Sequence, residues 1–64
     1  MTPAAFTQWL AEMKFAGLAR SDAECARLLG VTANTLLAWK ANGTDLRTAL
    51  ACRALLHSLE PWKS

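Results

Sequence analysis

Three glycines, Gly17, Gly30 and Gly43, punctuate a chain otherwise rich in alanine and leucine, and they set what it can fold into. Each follows a segment whose apolar side chains recur at helical spacing, and glycine ends helices because it takes the left-handed backbone without steric penalty. Thirteen alanines and eleven leucines stand beside one valine and no isoleucine. That balance favours helix, since β-branched side chains lose rotamer freedom in helices and pack best on sheets. An all-α fold is expected, a compact bundle of four short helices in a single domain spanning 1–64.

A chain of this length buries only about 60% of the surface its unfolded form exposes, so help from a partner subunit is of value. Apolar content of 53% with 19% charge excludes a disordered tail. No unbroken apolar run approaches the roughly 20 residues of a membrane span. Met1 is followed by neither a basic nor an apolar leader region, which makes the cytoplasm the expected location.

Helix signals locate the elements. Thr2 is a cap and Pro3 occupies a first helical position, after which Phe6, Trp9, Leu10 and Met13 form one apolar stripe, predicting a first helix over 3–16. Ser21-Asp22-Ala23-Glu24 reads as a capping box opening a second helix, with Cys25, Ala26, Leu28 and Leu29 as its apolar face and Gly30 as its end. Thr32 caps a third helix over 33–41 that turns Leu36 and Trp39 inward and stops at Asn42-Gly43. Thr44 or Asp45 caps a fourth, whose apolar surface comes from Leu46, Ala49, Leu50, Leu55, Leu56 and Leu59 and which Pro61 bars from continuing.

Catalytic and metal chemistry find little support. Cys25 and Cys52 form no C-x-x-C pair and read as small buried apolar residues, and His57 has no metal-ligating neighbour at helical spacing. No paired carboxylates, nucleophile–base grouping or glycine-rich phosphate loop is present, so neither an enzyme nor a cofactor or small-molecule ligand is expected.

Two short helices joined by a tight glycine turn outline a helix-turn-helix, whose second helix enters the DNA major groove. Residues 21–39, Ser-Asp-Ala-Glu-Cys-Ala-Arg-Leu-Leu-Gly-Val-Thr-Ala-Asn-Thr-Leu-Leu-Ala-Trp, resemble the lambda-repressor-like (Cro/C1, XRE) regulators. The likeness lies in a capped helix, Leu-Gly-Val-Thr at the turn and a buried Trp, and it extends over about 6–59. It implies a double-stranded DNA-binding transcriptional regulator, a repressor of the phage or mobile-element type that controls its own operon. The chain departs from the family pattern at Asp22, where a Gln commonly helps fix the DNA backbone, in the extra Ala19 and Arg20, and in one extra residue between Trp39 and Gly43.

Charge is distributed unevenly. Residues 25–57 carry Arg27, Lys40, Arg47 and Arg53 against Asp45 alone, whereas 1–24 carry three acids against two basic side chains. Such an excess beside the reading helix suits a phosphate-facing surface. With Leu36 and Trp39 inward, the outward positions of the third helix are Ala33, Asn34, Leu37, Ala38 and Ala41. Asn34 suits a bidentate contact to adenine, and Ala33, Leu37 and Ala38 suit thymine methyl groups. The alternative for Leu37 is burial against a neighbouring helix or subunit.

Thr32 and Thr35, at a helix start, suit phosphate oxygens. The resemblance adds Asn42 and Thr44 along the sugar-phosphate chain, with Lys40 and Arg47 reaching the same strand. One such module contacts few base pairs, so a homodimer on a palindromic operator is expected, joined through Leu55, Leu56, Leu59 and Trp62. Trp62 could instead pack back near Trp9. The rival reading is a small antitoxin-like or adaptor module that binds protein through the weakly charged third helix and the leucine-rich fourth.

Overall fold

A computed structural model describes residues 1–58. Within them the chain forms α1 (Pro3–Phe15), α2 (Asp22–Leu29), α3 (Ala33–Asn42) and α4 (Leu46–Leu56), with no strand among the described residues. The fold is therefore all-α, as the composition implies, and none of these helices is long and apolar enough to cross a membrane.

Side-chain caps begin all four helices. Thr2 Oγ1 accepts from the Ala5 amide at 3.1 Å, Ser21 Oγ from Glu24 at 3.2 Å, Thr32 Oγ1 from Thr35 at 3.3 Å and Asp45 Oδ1 from Thr48 at 2.9 Å. Each satisfies an amide with no partner inside its helix, worth about 1 kcal/mol. Only one arm of the anticipated capping box forms, for no bond from the Ser21 amide to the Glu24 carboxylate is present among the described residues.

Gly30 shapes the corner between α2 and α3. Its φ of 75° is left-handed, which lets the Val31 amide reach back to the Ala26 carbonyl at 2.9 Å and turns the chain straight into the Thr32 cap. Gly43 answers a different need. Besides a φ of 86°, it lies so close to the N-terminal segment that a Cβ there would stand 2.5 Å from the Met1 carbonyl oxygen. That approach lets Met1 and Thr44 exchange two bonds of 2.8 Å, from the Thr44 amide to the Met1 carbonyl and from the Met1 amino group to the Thr44 carbonyl.

The core is built outward from α1. Phe6, Trp9, Leu10 and Met13 are all buried, at the spacing of one helical stripe, and α1 packs most extensively against α3. Phe6 stacks on Trp9 with centroids 5.6 Å apart and meets Trp39 edge-on at 5.7 Å. The indole Nε1 of Trp9 donates to the Cys52 carbonyl at 2.8 Å, tying α1 to α4 through a buried bond. Ala19, Cys25, Ala26, Leu36 and Cys52 complete the cluster, and the small residues among them let helices approach closely. Both cysteines are buried free thiols.

Three expectations are corrected. Leu28 is 45% exposed, because the short α2 turns Asp22, Cys25, Ala26 and Leu29 toward the other helices, the i, i+3, i+4, i+7 face, and Leu28 falls off it. Leu46 and Leu50 are 73% and 60% exposed rather than in the core, since α4 is oriented by Cys52, Leu55 and Leu56 and its first two leucines lie on the far side. Finally, α4 ends at Leu56, well before Pro61, with His57 as its cap and Ser58 at a left-handed φ of 56°.

Candidate nucleic-acid interface

The helix of interest is α3, and its orientation is fixed from behind. Leu36 is buried in the cluster and Trp39 packs against it beside Phe6. On the opposite side Ala33, Asn34, Leu37, Ala38 and Ala41 are all exposed, with Leu37 at 59%. They make a continuous surface two residues wide along the helix, free of charge.

At the start of this surface the first backbone bond of α3 runs from the Leu36 amide to Thr32, and the Thr35 amide is held by the Thr32 side chain. The amides of Ala33 and Asn34 consequently meet no acceptor among the described residues. Thr32 and Thr35 hydroxyls lie 3.2 Å apart and bond one another. Thr32 is thus already engaged as a cap, and Thr35 is half-buried.

Electrostatics differ from what charge counting suggests. Lys40 does not stand free: its Nζ donates to Asp22 Oδ2 at 3.1 Å, while Lys14 Nζ donates to Asp22 Oδ1 at 2.9 Å. One carboxylate on α2 therefore ties together a lysine from α1 and a lysine from α3. The Lys14 bond first, then that of Lys40, holds the Asp22 carboxyl below its ordinary range against the opposing effect of desolvation. Sequence alone marks Asp22 only as a departure from the family pattern, because the pairing depends on the approach of three helices and no spacing in sequence encodes it. Arg47 has a highly exposed side chain whose Nε lies 3.5 Å from Asp45 Oδ2, a solvated pair of little strength. Arg20, Arg27 and Arg53 have no carboxylate within ion-pair distance among the described residues.

Other anticipated contacts are redistributed. Thr44 is half-buried, its backbone amide is committed to Met1, and its hydroxyl donates to the Asp45 carbonyl at 3.3 Å, so it offers no amide to a phosphate. Asn42 is the last residue of α3 and not part of a loop. It stands about 12–14 Å along the axis from the open amides, at the negative end of the helix dipole. Leu55 and Leu56 are half-buried against their own core, whereas Leu46 and Leu50 on the same helix are exposed. Leu59 and Trp62 lie outside the described residues.

The thiols are not poised for reaction. Desolvation raises the pKa of Cys25, and it pushes Cys52 up to about 11, which leaves both protonated at neutral pH. Among the described residues no three His, Cys, Asp or Glu side chains are grouped as a metal site. In comparisons with known proteins the chain matches no family model, and neither a curated protein nor a solved structure shows significant similarity to it.

Proposed function

We propose that the chain is a sequence-specific double-stranded DNA-binding regulator that lays α3 in the major groove of a palindromic operator and represses transcription by occupancy. The observation that carries this reading is the α3 surface itself. Asn34 and Leu37 stand exposed at its centre, Leu36 and Trp39 anchor it from behind, and the left-handed Gly30 corner links it to α2. The open amides of Ala33 and Asn34 supply neutral donors for a phosphate at the groove edge. Arg47 is the most accessible cation of the set expected to reach the backbone.

Specificity from so small a module requires two copies, with half-sites one turn or about 34 Å apart. Leu46 and Leu50 are the apolar side chains of α4 left for self-association, in place of Leu55 and Leu56. A regulator of this kind in the cytoplasm would control its own operon. The direct test is a mobility-shift assay on DNA flanking the coding sequence, with a scrambled duplex as competitor; retention of the shift by competitor-resistant complexes supports the proposal, and equal competition by both duplexes removes it.

One observation favours a second reading, a helical module that binds protein. The α3 surface carries no charge and its nearest lysine is paired with Asp22. Salt separates the two. Duplex affinity falls by about 0.9 log unit per log unit of salt for each phosphate neutralised, whereas apolar association scarcely responds.

A further inference from the structure

We infer that the exposed face of α3 reads the 5-methyl group of pyrimidines, so that what it selects in the groove is a methyl as much as a base. The inference rests on the DNA-binding reading above and specifies the chemistry recognised by that same surface. Leu37 stands at the middle of the face, 59% exposed, with Ala33 one turn before it and Ala41 one turn after, and with Asn34 and Ala38 in the adjoining row.

The major groove offers four kinds of edge, and this face suits few of them. Guanine presents two acceptors best met by arginine or lysine, and cytosine presents an amino donor that wants a carboxylate. Neither is available: the face holds no charged side chain, and Lys40 on the same helix is held by Asp22 at 3.1 Å. Adenine has a match in the single amide of Asn34. Every other side chain is apolar, and the one apolar group in the groove is the methyl on pyrimidine C5. The alanines are short enough to let the helix settle deeply, and Leu37 is the longest apolar arm on the face. Thymine carries this methyl always, and cytosine carries it when methylated at C5.

The test uses duplexes selected by the protein from a pool randomised over roughly twenty base pairs, the span of two adjacent half-sites. Each selected duplex is remade with uracil at single thymine positions, which removes the methyl and leaves base pairing intact, and with 5-methylcytosine at single cytosine positions. At least one thymine per half-site is expected to lose about four-fold in affinity on replacement by uracil, the worth of one buried methyl group. That loss should shrink toward one-fold in Leu37→Ala and persist in Asn34→Ala; both residues are exposed, and circular dichroism checks that each variant is folded. A gain with 5-methylcytosine extends the recognition to methylated cytosine, and a response to uracil alone confines it to thymine; either upholds a methyl-reading face. Salt-dependent, selective binding that ignores every methyl, or a uracil effect unchanged in Leu37→Ala, overturns the inference while leaving DNA binding in place. Failure to select any duplex removes both.

Discussion

Asp22 and Lys40 are eighteen residues apart in sequence, yet Oδ2 of one accepts from Nζ of the other at 3.1 Å. The second oxygen of the same carboxylate holds Lys14 at 2.9 Å. The pair joins α2 to α3 and gives Lys40 a carboxylate partner, while the cluster of two lysines and one carboxylate keeps a net positive charge. All three side chains remain about one-third exposed, so each bond is a solvent-screened one of about 0.2–1 kcal/mol.

Asp22→Asn should therefore destabilise the fold by about 0.5–1.5 kcal/mol at neutral pH, measured by urea unfolding. The carboxyl pKa is lowered in the folded state, so this stability is complete above the unfolded value near 3.9 and is lost as pH falls through the lower folded value. Wild type and variant should converge in acid below that range. Lys40, released, should also steepen the salt dependence of duplex binding in the variant; an unchanged slope would mean that Lys40 faces away from the phosphates.

The two glycine turns should respond unequally to alanine. Gly30→Ala meets open space and bears only the left-handed backbone penalty, about 1–2 kcal/mol. Gly43→Ala forces a side chain onto φ 86°, ψ −176°, a region essentially only glycine occupies, and adds a collision with the Met1 carbonyl. Thermal unfolding of both variants should place Gly43→Ala well below Gly30→Ala, and equal losses would show that the N-terminal segment yields easily.

Trp9→Phe removes the buried donor to the Cys52 carbonyl and part of the ring volume next to Phe6. A loss of about 1–3 kcal/mol is expected in chemical denaturation. Trp39→Phe, half-buried and without a side-chain hydrogen bond among the described residues, should cost less.

Dimerisation has a specific test. Leu46→Gln with Leu50→Gln alters two exposed residues, so monomer stability should move by less than about 0.5 kcal/mol. Sedimentation equilibrium should find a dimer for wild type and a monomer for the double variant. A wild type that sediments as a monomer up to high concentration would require DNA to bring the two copies together.

Much of the fold was legible in the chain. Caps at Thr2, Ser21 and Thr32 and the glycine stops are local chemistry, dependent only on neighbours in sequence, and the stripe from Phe6 to Met13 follows from helical period alone. Which face of α4 turns inward was not legible. Its leucines occur all round the helix, and the choice of Cys52, Leu55 and Leu56 over Leu46 and Leu50 is made by the indole of Trp9 and the helices it meets. The outward side of α3 could be read because Leu36 and Trp39 define a single inward direction. The fate of Lys40 and Thr44 could not, since their partners Asp22 and Met1 are distant in sequence.

The most direct measurement is a salt titration of duplex binding by fluorescence anisotropy, comparing wild type with Leu37→Glu. Leu37 is exposed, so the substitution leaves the core intact while placing a negative charge at the middle of the α3 face. Wild-type affinity for a selected duplex should fall linearly with log salt, and Leu37→Glu should bind at least about a hundred-fold more weakly, as expected for an anion and its desolvation cost in the groove. Wild-type binding that is indifferent to salt, or a Leu37→Glu protein that binds the duplex as tightly as wild type, would contradict the placement of α3 against DNA.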